Sequence, residues 1–408
     1  MEKNTEQPIS DHDKATHYLY ELVMKLLKLE GSDLFITAGS APAFRVAGEI
    51  HRVSNYRLSP QQTALLVRSI MNDHQALMFD RHHDVNFSLN FPDLARFRVS
   101  AFIQRGSSGM VLRLIQQHIP TIQELNLPPV LKDISLHERG LIIFLGGTGC
   151  GKTTSIASML DYRNSQRREH IITIEDPIEF FHSHKQSLVD QREVGVDTES
   201  YETALKNALR QAPNVIMVGE VRDRETMQHV INYAETGHLC LTTLHANNTD
   251  QAFDRMINFF PDERREQLLM DLSFNMKALI SQRLLPRRDQ AGLIPAVEIL
   301  QSTPLMADLI FKGRIKEIKS VMARSDEQGI VTFDQALFNL YEAGSISYET
   351  AIRYADSVND LRLRIKLESK HVPRDLSDES HFEIEEEKSD NSWLKKPATL
   401  YRRANKRK

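Results

Sequence analysis

Residues 141–153 read L-I-I-F-L-G-G-T-G-C-G-K-T, an apolar run of strand length opening into Gly146-Gly147-Thr148-Gly149-Cys150-Gly151-Lys152-Thr153. This is the phosphate-loop pattern G-x-x-x-x-G-K-[ST], and residues 153–160 continue it with a helical pattern. A chain with this feature must place a buried strand, a glycine-rich turn and a helix in succession. The glycines let backbone N–H groups turn inward around phosphate oxygens, and the helix N-terminus adds positive potential. Lys152 is expected to reach the β- and γ-phosphates, and Thr153 to ligate Mg²⁺ through its hydroxyl.

The flanking texture fits that demand. Apolar runs at 171–174, 215–218 and 239–244 alternate with helical patterns, which argues for a parallel sheet with helices on its faces. Residues 262–285, 303–312, 333–343 and 347–368 read mainly as helices. Upstream, residues 15–30 form an amphipathic pattern with Tyr18, Leu19, Leu22, Leu26, Leu27 and Leu29 mostly on one side. Short runs at 33–37, 43–46 and 50–53, punctuated by Gly31, Gly39, Pro42 and Gly48, predict strands and hairpins. Residues 59–79 read as helix, and 96–103 and 110–115 as strands. The class is therefore α/β. The expected partition is a small α+β domain over 1–115, a proline-bearing linker over 116–129, a sheet-and-helix domain over 130–370 and a flexible charged tail over 371–408. In that tail residues 375–390 carry eight acids, and residues 391–408 carry seven Lys or Arg and no acid, with Trp393 between the charge blocks.

Composition removes several functions. Lys plus Arg is 51 against 55 Asp plus Glu, so a uniformly basic nucleic-acid binder is disfavoured. Cys150 and Cys240 are the only cysteines, which excludes a disulfide scaffold and a four-cysteine zinc module and fits a reducing compartment. No signal-peptide pattern follows the polar start, and the longest apolar runs are strand-sized. A soluble, cytoplasmic protein is expected, reaching a membrane only through a partner.

Acids end two of the expected strands. Glu220 closes N-V-I-M-V-G-E, where a carboxylate near the γ-phosphate can orient and deprotonate water. Glu175, with Asp176 and Glu179, follows the 171–174 run and is suited to hold Mg²⁺ or its waters. His245 follows the 239–244 run and is placed to sense the γ-phosphate or bridge to Glu220. His182, His184 and His229 do not match a zinc spacing, so no metal cluster is expected. Cys150 reads as a small residue tolerated where the backbone does the binding, and Cys240 as a buried strand residue. Arg96, Arg98, Arg105 and Arg113 cluster near the last strands of the first domain. They read either as a solvated basic face or, for Arg98, Arg105 and Arg113 above all, as arginine fingers that cross an interface.

Taken in order, these motifs resemble the secretion and pilus-assembly ATPase superfamily. Its hallmark segment stands here as Val218-Gly219-Glu220-Val221-Arg222-Asp223-Arg224-Glu225-Thr226. The family's Walker A, Asp box, Walker B and His box fall on residues 146–154, 175–179, 215–220 and 236–245, so that Thr154 joins the nucleotide-binding set. The resemblance covers about residues 15–370. The absent zinc module and the segments at 191–195, 209–213, 245–248 and 360–367 point to the type IV pilus retraction branch (PilT/PilU), on its PilU side. Two positions depart from the pattern. Residues 305–312 read L-M-A-D-L-I-F-K where PilT-type motors carry A-I-R-N-L-I-R-E, and Asn214 stands where the family usually has Asp.

The resemblance implies a PAS-like N-terminal domain followed by a RecA-like P-loop ATPase domain with a helical C-terminal part. It implies homo-hexameric rings, ATP and Mg²⁺ between domains and neighbouring subunits, and peripheral attachment at the inner membrane. There the ring would turn a PilC-like platform protein, so that pilins leave the fibre base and the pilus shortens. The 305–312 departure favours a role accessory to a PilT-type motor. Two alternatives stay open: a nucleotide-binding ring subunit that recruits another motor while hydrolysing little, and a nucleic-acid-translocating RecA-like motor. No nucleic-acid partner is expected.

Overall fold

The computed structural model of the chain describes residues 11–91, 94–115, 118–288, 292–325 and 329–371. Residues 372–408 of the expected tail and 116–117 of the expected linker lie outside the described residues.

Helix α1 (His12–Lys28) starts where the Asp11 carboxylate accepts a hydrogen bond from the Lys14 N–H at 2.9 Å. Its buried stripe of Leu19, Leu22, Val23 and Leu26 seals a core built on β1 (Asp33–Ile36), β2 (Ala43–Val46), β3 (Glu49–Arg52), α2 (Pro60–Arg68), α3 (Asp73–His82), β4 (Asp84–Phe91), β5 (Ala95–Gln104) and β6 (Ser107–Ile115). The six strands form one antiparallel sheet in the order β3-β2-β1-β6-β5-β4. On β5, Ala95, Phe97, Val99 and Ala101 enter the core, so the period of two sends Arg96 and Arg98 to the other face.

The single helix expected over 59–79 is two. Asn72 opens α3 with a capping box to Gln75, an N-terminal signal buried inside an apolar periodicity that reads as continuous. Strand β4 was not expected, although Val85, Phe87, Leu89 and Phe91 alternate with Asn86, Ser88 and Asn90 in the period of a half-buried strand.

Beyond residue 118, Ile122 and Leu127 pack into the core of a second sheet. Its elements run α4 (Val130–Ser135), β7 (Gly140–Leu145), α5 (Lys152–Gln166), β8 (His170–Glu175), β9 (Leu188–Glu193), α6 (Tyr201–Ala208), β10 (Val215–Val218), α7 (Arg224–Glu235), β11 (Leu239–Leu244), α8 (Thr249–Asn258), α9 (Arg265–Asn275), β12 (Met276–Pro286) and β13 (Leu293–Gln301). The strand order is β13-β12-β7-β11-β10-β8-β9, and every neighbouring pair is parallel except β12 with β13. β7 is buried on both faces: Leu141, Ile143 and Leu145 share a core with Met227, Val230 and Ile231 of α7, and Ile142 and Phe144 with Ile156, Met159 and Leu160 of α5. Five helices complete the described chain: α10 (Pro304–Phe311), α11 (Ile315–Arg324), α12 (Phe333–Glu342), α13 (Tyr348–Tyr354) and α14 (Val358–Glu368).

The helix expected over 262–285 stops at Asn275. Residues 276–286 instead form the inner strand β12, held between β7 and β13. An apolar run buried on both faces carries no period that separates strand from helix, and no glycine or proline marks the junction. The sheet also carries the antiparallel strand β13, absent from the parallel arrangement expected.

Asn214 sits at the start of β10. Its Oδ1 accepts from the His170 N–H at 2.9 Å, tying β10 to β8. In the parallel register, β7, β8, β10 and β11 all end at the opposite edge of the sheet from Asn214.

Candidate functional site

The ends of those four strands define the site. β7 delivers the glycine-rich loop, β8 ends on Glu175, β10 runs through Gly219 into Glu220, and β11 is followed by His245. A cavity of about 350 Å³ between them is lined by Lys152, Thr153, Glu175, Glu220, Arg222 and His245, among others. Thr148 and Gly149 line this cavity and also an adjoining hollow of about 270 Å³ that takes in Gly146, Gly147 and Cys150. Gly151 and Thr154 line neither; Gly151 is the N-cap of α5.

The loop's shape needs its glycines. Gly146 has φ +144°, and a Cβ there would lie 2.4 Å from Cys150 Sγ. Gly151 has φ +88°. No side chain caps α5, so its first N–H groups are left for an anion. Lys152 is 8% exposed, and its ammonium donates to the carbonyls of Gly146 at 2.7 Å and Gly147 at 2.9 Å. Burial pulls its pKa down, and the nearby Cys150 and Glu220 oppose that shift.

Opposite the loop, Glu220 is held from two sides. His245 Nε2 lies 3.1 Å from its Oε1, and Arg222 Nε lies 3.2 Å from its Oε2. Arg222 also lies 3.7 Å from Asp176. Thr243 donates its hydroxyl to the Gly219 carbonyl at 2.8 Å, and the Gly219 N–H donates to Ile174, fixing the strand end that carries Glu220. Asp223 accepts from the Thr226 N–H at 2.8 Å and so caps α7, which turns the chain away from the site.

Glu175 is only 5% exposed. Its Oε1 accepts from the Thr173 hydroxyl at 2.6 Å and from Gln191 Nε2 at 3.0 Å. Burial pushes its pKa up to about 7 despite those two hydrogen bonds, and Glu193 and Glu179 push in the same direction. Tyr201, at the start of α6, closes this side of the cavity, and burial raises its phenol pKa.

The four arginines are not gathered here. Arg98 and Arg113 stand opposite each other on β5 and β6, and Arg113 Nε donates to the buried Asp33 at 2.8 Å. Arg96 lies over the Phe181 ring, 5.8 Å from its centroid, and both Arg96 and Arg98 oppose the upward shift that burial gives the Glu193 carboxyl. Arg105 occupies the β5–β6 turn with φ +47°. None lines the cavity.

Sequence reasoning gave no role to Tyr201, Thr243, Gln191 or Arg222. Arg222 had a usable signal, since it stands two residues beyond Glu220. The other three join the site only through strand register and loop packing.

The histidines of the 182–229 region have separate surroundings. His184 Nδ1 accepts from the Val189 N–H at 3.0 Å, and His229 lies 6.2 Å from the Tyr233 ring. His182 is buried, and its Nδ1 has no partner among the described residues. Desolvation lowers its pKa to about 4; Asp161 opposes this and Lys185 adds to it. The folded chain thus holds His182 neutral, while the unfolded chain protonates it below about pH 6.5. Stability is full above that pH and falls as the pH drops towards 4, by about 3 kcal/mol at 1.36 kcal/mol per pKa unit. His182→Leu should lose less unfolding free energy than the parent chain between pH 7 and pH 4.5 in urea titrations. Identical losses would contradict this.

Comparison with known proteins bears on the same arrangement. The family described as "Type II/IV secretion system protein" matches residues 9–332. The "Type IV pilus ATPase PilU" of Pseudomonas aeruginosa is 54% identical over 88% of this chain and 94% of its own length. The "Type IV pilus retractation ATPase PilT" of the same organism is 40% identical over 81% of this chain and 96% of its own. A solved structure of the pilus retraction motor PilT with bound ADP superposes with a TM-score of 0.77 at 38% identity, covering 83% of this chain and 97% of that one. The expected class therefore holds: a small α+β unit ahead of a RecA-like P-loop unit.

Proposed function

We propose a function from one premise: the chain belongs to the type II/IV secretion system protein family. It is an ATP-hydrolysing enzyme, a motor of type IV pilus retraction that serves twitching motility. The observation that supports catalysis most directly is the Glu220 carboxylate, held by His245 and Arg222 across the cavity from the phosphate loop.

The residues have distinct tasks. Lys152 leaves the Gly146 and Gly147 carbonyls and takes the β- and γ-phosphates, while the loop N–H groups and the α5 N-terminus surround their oxygens. Glu220 orients the attacking water and accepts its proton, and His245 holds the oxygen that would otherwise rotate away. Arg222 keeps Glu220 aligned while also facing Asp176.

The donor set fits Mg²⁺. The cavity offers hard oxygen ligands, among them the Thr153 hydroxyl and the carboxylates of Glu175, Asp176 and Glu179. Among the described residues no three His, Cys, Asp or Glu converge as a metal cage, which suits an ion that takes most of its ligands from phosphates and water. Bound there, Mg²⁺ would neutralise charge on the β- and γ-phosphates.

The working unit is a homo-hexameric ring whose α+β and RecA-like units, 1–115 and 130–370, shift against each other during turnover. Arg98, Arg105 and Arg113 remain candidates to act on a neighbouring subunit's nucleotide. No described helix is long and apolar enough to cross a membrane. The ring meets the inner membrane peripherally, through a PilC-like platform protein. The role is accessory to a PilT-type motor. In α10 the positions where PilT-type motors carry their two arginines are Ala307 and Phe311, and Leu305 and Phe311 are exposed.

Retraction of fluorescently labelled pili tests this in a strain deleted for the gene. A wild-type copy should restore retraction, and a Lys152→Ala copy should not. Full rescue by Lys152→Ala would replace the motor with a ring subunit that recruits another motor.

A further inference from the structure

Strand β12 contributes a buried side chain to the back of the phosphate loop. Gln282 is 3% exposed, in the second strand from the sheet edge, and its carboxamide bridges two parts of the nucleotide machinery. Its Nε2 donates to the Cys150 carbonyl at 2.8 Å, and its Oε1 accepts from the Ser155 hydroxyl at 2.8 Å. Ser155, itself buried, sits in the first turn of α5. The same residue shapes the loop sterically. A Cβ on Gly146 would meet the Gln282 carbonyl at 2.7 Å, and a Cβ on Gly151 would meet Gln282 Nε2 at 2.7 Å.

A phosphate loop works only if its N–H groups face inward, which sends carbonyls the other way and leaves them in need of donors. We propose that Gln282 is the positioning residue of this loop: it holds the Cys150 carbonyl outward and locks the loop to α5 through Ser155. The inference rests on the ATPase reading and adds to it a residue that acts on the loop backbone and on α5.

Gln282→Met removes both hydrogen bonds at similar volume. With the Cys150 carbonyl released, KM for ATP should rise about tenfold while kcat stays within about threefold, because one interaction's worth of preorganisation is lost from ground-state and transition-state binding alike. The Kd for ADP, measured by calorimetry, should rise by a similar factor. A merely structural role would lower the active fraction, and therefore apparent kcat, at unchanged KM. The double variant Gln282→Met/Ser155→Ala keeps the readout clear of folding defects. Removing the stranded Ser155 hydroxyl should recover thermal stability without recovering KM or the ADP Kd. A rise of fivefold or more in both constants, persisting in the double variant, bears the proposal out; a smaller rise, or recovery in the double variant, overturns it. If the parent chain binds ADP but hydrolyses no ATP, the ATPase reading fails, and the ADP constants alone decide the role of Gln282.

Discussion

Replacing Lys152 with alanine should lower kcat/KM for ATP by about 10³-fold, the scale of losing one charged, preorganised donor at developing negative charge. Among the described residues, the arginines beside the loop are already committed, Arg222 to Glu220 and Asp176 and Arg283 to Asp356. ADP binding should weaken as well, since the ammonium meets phosphates in the ground state. The fold should survive, because a desolvated ammonium is being removed and its partners, the carbonyls of Gly146 and Gly147, belong to residues that border the adjoining hollow, which water can enter. Calorimetry with ADP and phosphate-release kinetics on the folded variant check both parts. Unchanged ADP affinity would contradict the placement of the phosphates.

Glu220→Gln separates binding from chemistry. The amide keeps the size of the carboxylate and one oxygen for His245, so the strand end and the cavity shape should persist. It cannot accept the proton of the attacking water, and general-base loss costs about 10²–10⁴-fold in kcat. ATP affinity should remain within a few-fold, leaving the variant loaded with unhydrolysed ATP. Nucleotide extracted after single-turnover mixing should be ATP in the variant and ADP in the parent chain. Equal conversion in both would show that the proton goes elsewhere.

How much of this was legible beforehand depends on the kind of signal. The phosphate loop, Glu175, Glu220 and His245 stand at the ends of apolar runs, and strands that are buried on both faces and parallel bring their ends together whatever lies between them. Those residues were therefore readable. Gln282 was hidden by a wrong period: with 262–285 read as helix, residue 282 has no reason to face the loop, whereas in β12 it lies beside β7. Gln191 enters the site from the edge strand β9 and Tyr201 from the start of α6, elements whose course depends on tertiary packing. The arginines show the limit from the other side. Arg105 is near Arg98 in sequence, yet the β5–β6 hairpin puts it at the turn, away from the row in which Arg98 faces Arg113.

The most direct test of the central claim is ATP hydrolysis by the purified full-length chain, taken from the fraction sized as a ring and measured beside Glu220→Gln. The expected result is steady phosphate release by the parent chain that stops when Mg²⁺ is chelated and is lost in the variant. Equal release by both chains, or none from an intact parent ring, would contradict a motor that draws its work from this site.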